Sequence, residues 1–265
     1  HSELLAALFF IYKNEVIILL ENFNSDLRKI ESILNDKIII NALKKIIFCD
    51  DKWETLLSKI RRQICLNIAK DREIIDKSVL QFVLALGEQC FLNEYVYSIT
   101  EEESISLNKI INRCTDSELC ETSISILACY YPLYKLIDKL PLLKSFTSIN
   151  SSFKELIKLQ ITEPLKEIEL SKNIINLGPI NNYVSQKVKT QYEENPYPRW
   201  RYANYVGSKK KSIVKVINDE ISPNFISQIY DEEVKVLIAG CGTGNQILQT
   251  QRYKNAQITA IDLSL

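Results

Sequence analysis

Val234-Lys235-Val236-Leu237-Ile238-Ala239-Gly240-Cys241-Gly242-Thr243-Gly244 decides how this chain reads, together with Asp262 further on. Val234 to Ala239 is a short apolar run, rich in branched residues and stopped by glycine, which is the pattern of a buried strand. Glycines then occupy the alternate positions 240, 242 and 244. A helical pattern runs from Asn245 to about Tyr253. A second apolar strand pattern, Gln257 to Ile261, ends in Asp262. The order strand, glycine loop, helix, strand, acid predicts the first half of a nucleotide-binding α/β unit.

Each part has a physical task. Glycine allows tight or left-handed turns and lets a ligand lie against the main chain. A carboxylate at the end of the second strand can accept hydrogen bonds from ribose hydroxyls. Dinucleotide sites and S-adenosylmethionine sites share this logic, so the topology alone does not separate them. The spacing helps. Dinucleotide loops usually read G-x-G-x-x-G, whereas here the third glycine follows the second after two residues and position 245 is Asn. G-x-G-x-G followed about 18 residues later by an acid resembles the first two motifs of class I S-adenosylmethionine-dependent methyltransferases. The plain alternative is a glycine turn, and the flanking strands and Asp262 argue against it.

Composition narrows the function classes. The 265 residues allow one large domain or two ordinary ones. Hydrophobic residues make up 46% and charged residues 25%, enough for a sizeable core. The formal net charge is zero, so nothing steers the chain toward nucleic acid or an anionic membrane. Lys209-Lys210-Lys211 reads as a solvated loop. Apolar runs such as Leu4 to Tyr12 fall short of the ~20 residues that span a bilayer, so no membrane insertion is expected. The first residue is His1, the chain has no methionine, and it stops three residues after Asp262. An internal fragment of a longer protein is expected, with the first strand of its α/β domain, Val234 to Ala239, lacking a neighbour on one side.

Seven cysteines, at 49, 65, 90, 114, 120, 129 and 241, show no C-x-x-C spacing. Free thiols in a reducing cytoplasm are the expectation. His1 is the sole histidine, so no metal site and no Ser-His-Asp or Cys-His apparatus is expected.

Residues 1–175 read as helix after helix. Leu4, Leu5, Leu8, Phe9 and Tyr12 share one helical face; Trp53, Leu56, Leu57, Ile60, Ile64 and Ile68 share another. Val79 to Leu86 predicts a central buried helix. Thr100-x-x-Glu103, Thr115-x-x-Glu118 and Ser152-x-x-Glu155 each fit a capping box. Pro132 and Pro141 punctuate helix ends. Glu88, Asn93 and Glu94 place polar groups on an otherwise buried helix; they read either as a patch facing a partner or as a helix end. Residues 176–230 form a linking segment. It holds a short helix, Val184 to Tyr192, and then Gln191-Tyr192-Glu193-Glu194-Asn195-Pro196-Tyr197-Pro198-Arg199-Trp200, whose prolines stiffen the backbone. This aromatic stretch reads as a cover for a bound cofactor or acceptor, or as a strap on the domain edge. Ser212 to Ile217 fits a strand or a helical turn. Residues 231–265 begin the α/β domain.

Three stretches carry a closer resemblance: Gln89-Cys90-Phe91-Leu92-Asn93-Glu94-Tyr95-Val96, Gln191 to Trp200, and Val236 to Gly244 with Ile261-Asp262-Leu263-Ser264. On these the chain resembles bacterial proteins in which a helical region, often with tetratricopeptide repeats, precedes a class I methyltransferase domain. It is similar to bacterial protein-lysine methyltransferases that modify outer-membrane proteins. The resemblance implies a mainly α N-terminal region followed by the start of a Rossmann-like domain. It implies methyl transfer from S-adenosylmethionine to a protein lysine or similar amine, in the cytoplasm. Gly240, Cys241, Gly242 and Gly244 would then hold the methionine part, Asp262 the ribose and Leu263 the adenine. Tyr192, Glu193, Glu194, Tyr197 and Arg199 are candidates to line the acceptor channel, with Tyr192, Tyr197 and Arg199 as the catalytic candidates. A homodimer formed through the helical region is the analogous assembly. Competing readings are a small-molecule methyltransferase, an NAD-dependent oxidoreductase, and a non-catalytic helical interaction module.

Overall fold

Short polar residues start several of the helices, and apolar stripes decide how those of the first unit pack. The computed structural model describes residues 11–12, 14–21, 27–70, 76–116, 119–196, 209–221, 225 and 233–264. The chain divides into two units, His1–Ile174 and Ile175–Leu265. The described residues are mostly helical, with a two-stranded parallel sheet in the second unit.

The helices of the first unit are α1 (Glu31–Leu34), α2 (Lys37–Lys45), α3 (Asp51–Lys70), α4 (Lys77–Leu92), α5 (Glu101–Asp116), α6 (Glu121–Ala128), α7 (Ser151–Ile157) and α8 (Glu163–Ser171). Asp36 caps α2, its carboxylate accepting the Ile38 N–H at 2.7 Å. Asp50 does the same for α3 through Lys52 and Trp53. Thr100 and Glu103 form the expected capping box on α5: the Thr100 N–H donates to Glu103 at 2.8 Å and the Glu103 N–H to Thr100 at 3.3 Å.

The other two expected boxes are corrected. Thr115 lies in the last turn of α5 and donates back to the Asn112 carbonyl; Glu118 lies outside the described residues. Ser152 is inside α7, whose cap is Asn150, accepting from Ser152 and Phe153. Asn is as good a cap as Ser, and the longer run began two residues earlier.

Helix α4 is central. It packs against α2, α6 and α7, while α3 packs against α5. Phe82 through Leu86 are fully buried, as the apolar run predicts. At Gly87 a Cβ would stand 3.2 Å from the Ala128 Cβ, so glycine sets the close approach of α4 and α6. Two buried glutamines hold this packing. Gln89 donates to the Leu43 and Ile46 carbonyls and accepts the Phe48 N–H, closing the end of α2. Gln160 lies in a π-helical turn, Lys158–Thr162, between α7 and α8; it donates to the Gly87 and Ala128 carbonyls. One apolar core results, and all its members lie between Val16 and Ile161.

The polar residues of α4 turn out to be interior. Glu88 is fully buried, 3.7 Å from Lys44 Nζ, and Asn93 is also buried. Of the predicted N-terminal helical face, Leu4, Leu5, Leu8 and Phe9 lie outside the described residues.

The second unit holds α9 (Tyr183–Glu194), α10 (Ile213–Glu220), β1 (Val234–Ala239), α11 (Asn245–Gln249) and β2 (Ala256–Ile261). The segment 212–217 is therefore helical; Ser212 caps it by accepting the Lys215 N–H. β1 was expected to be buried, and it is not. Its residues alternate between half-buried and exposed, and Leu237 is 63% exposed. A parallel strand needs cover on both faces. Among the described residues β1 pairs with one strand and is followed by a single helical turn.

Candidate functional site

β1 and β2 run in register from Val234 opposite Ala256 to Ala239 opposite Ile261. Pairing stops where the glycines begin. The Gly240 and Cys241 N–H groups both donate to the Ile261 carbonyl, at 2.9 and 3.1 Å, which ties the loop to the carboxyl end of β2. Ligands of open α/β sheets bind at such ends.

Gly240, Gly242 and Gly244 take φ of 73°, 49° and 95°, the left-handed region that costs other residues roughly 1–2 kcal/mol each. A Cβ at Gly240 or Gly242 would meet nothing within 4 Å, so the main chain is open to a ligand on that side. Gly244 caps α11: its N–H donates to the Cys241 carbonyl at 3.0 Å and its carbonyl accepts the Leu248 N–H at 3.1 Å. α11 has five residues. The loop therefore offers close backbone approach rather than a long helix dipole.

Asp262 is joined to the loop directly. Its Oδ2 accepts the Gly242 N–H at 2.7 Å, and its Oδ1 accepts the Ser264 N–H at 3.0 Å and hydroxyl at 3.1 Å. Partial burial pushes this carboxyl up. Donation from Ser264 and Gly242, helped by Leu263, outweighs burial and holds it below the usual carboxylate value. The group is an anion at neutral pH. Both oxygens of an ionised carboxylate accept hydrogen bonds.

Leu263 beside it is half exposed and presents an apolar surface. Cys241 is half-buried; burial, then the nearby Asp262 charge, push its thiol up, so it stays a neutral thiol rather than a nucleophile.

The cofactor candidates are thus brought together, and the acceptor candidates are not. Tyr192 is on α9, 51% exposed. Among the described residues no hydrogen bond or ring contact joins it to Gly240–Gly244 or Asp262. Glu193 pairs with Lys189 along the same helix at 3.4 Å. Tyr197 and Arg199 lie outside the described residues.

Two features escaped the sequence. Ser264 anchors Asp262, and its place two residues on is the only clue. The other is a strap: Lys211 pairs with Arg252 and Lys254 through main-chain bonds of 2.8 Å. Arg252 then grips Glu220 with both guanidinium NH groups, at 2.5 and 3.0 Å. This fastens α10 to the entry of β2, across a sequence separation that leaves no local signal.

No protein-family model, curated protein or solved structure matches this chain.

Proposed function

We propose that this chain carries the cofactor-binding segment of an S-adenosylmethionine-dependent methyltransferase acting on a lysine or similar amine. The observation that supports this most is the Gly242–Asp262 bond beneath a glycine backbone that is open to solvent. S-adenosylmethionine, when bound, supplies a methyl group on a sulfonium. It has no phosphate, so it needs backbone approach and a ribose acceptor, and those are what these residues offer. A dinucleotide places its pyrophosphate on a helix N-terminus, and a one-turn α11 is a poor match for that.

In this reading Gly240, Cys241, Gly242 and Gly244 lie along the methionine part. Asp262 Oδ2 accepts a ribose hydroxyl, and Leu263 packs on the adenine. The acceptor amine must be neutral to attack, and a lysine with its usual pKa of ~10.4 needs a desolvated approach to become so. Tyr192, Tyr197 and Arg199 are the residues proposed to line it. A protein acceptor, an outer-membrane protein among them, follows from the resemblance described above.

Calorimetric titration of S-adenosylmethionine, and separately NAD, into the protein tests the proposal, with Asp262→Ala as control. S-adenosylmethionine should bind at micromolar concentration and the variant should lose that binding. Binding of NAD instead, or of neither, would overturn the reading.

A further inference from the structure

The seven cysteines are free thiols, and their surroundings sort them. Cys65, Cys90 and Cys129 are fully buried, out of reach of an oxidant in water. Cys49 is exposed, and its thiol donates to the Ile47 carbonyl at 3.6 Å. Cys114 and Cys120 differ because they share a corner of the helical unit.

Cys114 lies in the last turn of α5, and Cys120 holds the N-terminal cap position of α6. Leu119, next to Cys120, is buried in the core and fixes the entry to α6. The Cys120 carbonyl accepts the Ile124 N–H at 3.1 Å, but its side chain makes no capping bond. The thiol instead donates to the Ser123 hydroxyl at 3.3 Å. Cys114 meets the same hydroxyl from a buried position, 5% exposed. Burial pushes the Cys114 thiol up, the bond with Ser123 works against that, and the nearness of Cys120 adds to the rise. One hydroxyl thus holds two sulfurs, Cys120 on the exposed side and Cys114 on the buried side.

We propose that Cys114 and Cys120 form a reversible dithiol–disulfide pair that locks the α5–α6 corner, with a low-molecular-weight disulfide such as oxidised glutathione as the oxidant. Two sulfurs bonded to one oxygen are near enough to join by rotation about their Cα–Cβ bonds. The exposed Cys120 sulfur attacks the oxidant as its thiolate. A Cys120–glutathione S–S bond forms, the S–S bond of the oxidant breaks, and one reduced glutathione leaves with the Cys120 proton. The Cys114 sulfur then attacks the Cys120 sulfur. The Cys114–Cys120 bond forms, and a second reduced glutathione leaves with the Cys114 proton. Two electrons pass from the protein thiols to the oxidant. Ser123 keeps both thiols at the corner in the reduced state, and the disulfide makes that corner covalent.

Incubation of the full chain with oxidised glutathione, followed by unfolding, alkylation and mass spectrometry of its peptides, tests this. The expected product joins the Cys114 and Cys120 peptides with the loss of two hydrogens, and dithiothreitol restores both thiols. Cys120→Ser, at an exposed position, removes the cross-link and leaves Cys114 open to alkylation, whereas Cys49→Ser keeps the cross-link. In Cys114→Ser the reaction stops with glutathione on Cys120. The cross-linked parent also unfolds at a higher urea midpoint than the reduced one. Glutathione retained on Cys120 of the parent, both thiols still open to alkylation, a bond from either to a different cysteine, or a lower midpoint on cross-linking overturns the proposal.

Discussion

Helix α4 and strand β1 are both written as apolar runs, and they meet opposite fates. Phe82 to Leu86 are enclosed by helices on every side. Leu237, in the middle of β1, is mostly exposed. The first unit is held by burial, with one continuous core reaching from Val16 to Ile161. Of the described residues in the second unit, only Val214 and Val216 are buried hydrophobics. That unit is organised instead by main-chain bonds to Ile261, by Asp262 on Gly242, and by the Lys211 and Arg252 strap. Polar geometry of this kind can fix the shape of a loop where burial is thin.

Truncating one residue in each run probes this contrast most sharply. Phe82→Ala should cost about 3–5 kcal/mol, the usual loss for an aromatic removed from a closed core. Leu237→Ala should cost less than about 1 kcal/mol, since most of that side chain is already in water. Urea unfolding of the two variants measures both. Equal losses would break the comparison and show that β1 has cover in solution.

The same contrast can be drawn within α5, between neighbouring glutamates. Glu103 is buried with Arg61, Tyr130 and Thr100. Glu102 pairs with Arg62 at 2.6 Å, and both are about half exposed. Glu103→Ala leaves a buried guanidinium uncompensated and should cost about 3–5 kcal/mol. Glu102→Ala should cost no more than about 1 kcal/mol, falling further with added salt.

The glycine loop and its strands were legible in the sequence because their signals are local. Val234–Ala239, the three left-handed glycines and Asp262 sit at fixed short spacings, and the structure joins them through one carboxylate. The central helix was legible for the same reason. The exposure of β1 was not, because a strand's sequence states which elements it could pack against and not which are near. Arg61 was also hidden. It interrupts the stripe of Trp53, Leu56, Leu57 and Ile60, and its partners are supplied by residues 98, 103 and 129. Capping was read correctly at Thr100 and misplaced at Ser152, where Asn150 competes for the same two N–H groups.

Gly242→Ala separates loop geometry from stability. The added methyl meets no atom, so the cost is the left-handed φ alone, roughly 1–2 kcal/mol or less. The Asp262 bond to the Gly242 N–H should survive it. If the open side of the loop is where a cofactor lies, S-adenosylmethionine affinity should drop at least tenfold while the urea midpoint moves little. A variant that binds as well as the parent would show that the open side is not the binding side.

The smallest effect expected is at the edge of the helical unit, where Tyr12 donates to Asp36 at 2.6 Å. Burial, then this bond and the Asp36 charge, push the Tyr12 phenol from its usual value near 10 up to about 12. The neutral phenol is the form that donates, so its folded pKa is the higher one. The stabilisation is therefore present in full below pH ~10 and is lost as pH rises through about 12. The pair is partly exposed, so the contribution should stay below about 1 kcal/mol. Subtracting the stability of Tyr12→Phe from that of the parent, at neutral pH and again near pH 11.5, cancels the other tyrosines. The difference should shrink toward zero at the higher pH. A difference already near zero at neutral pH would mean that Tyr12 contributes through its ring against Trp53, 6.2 Å away, which phenylalanine keeps, and that burial rather than polar geometry governs this corner too.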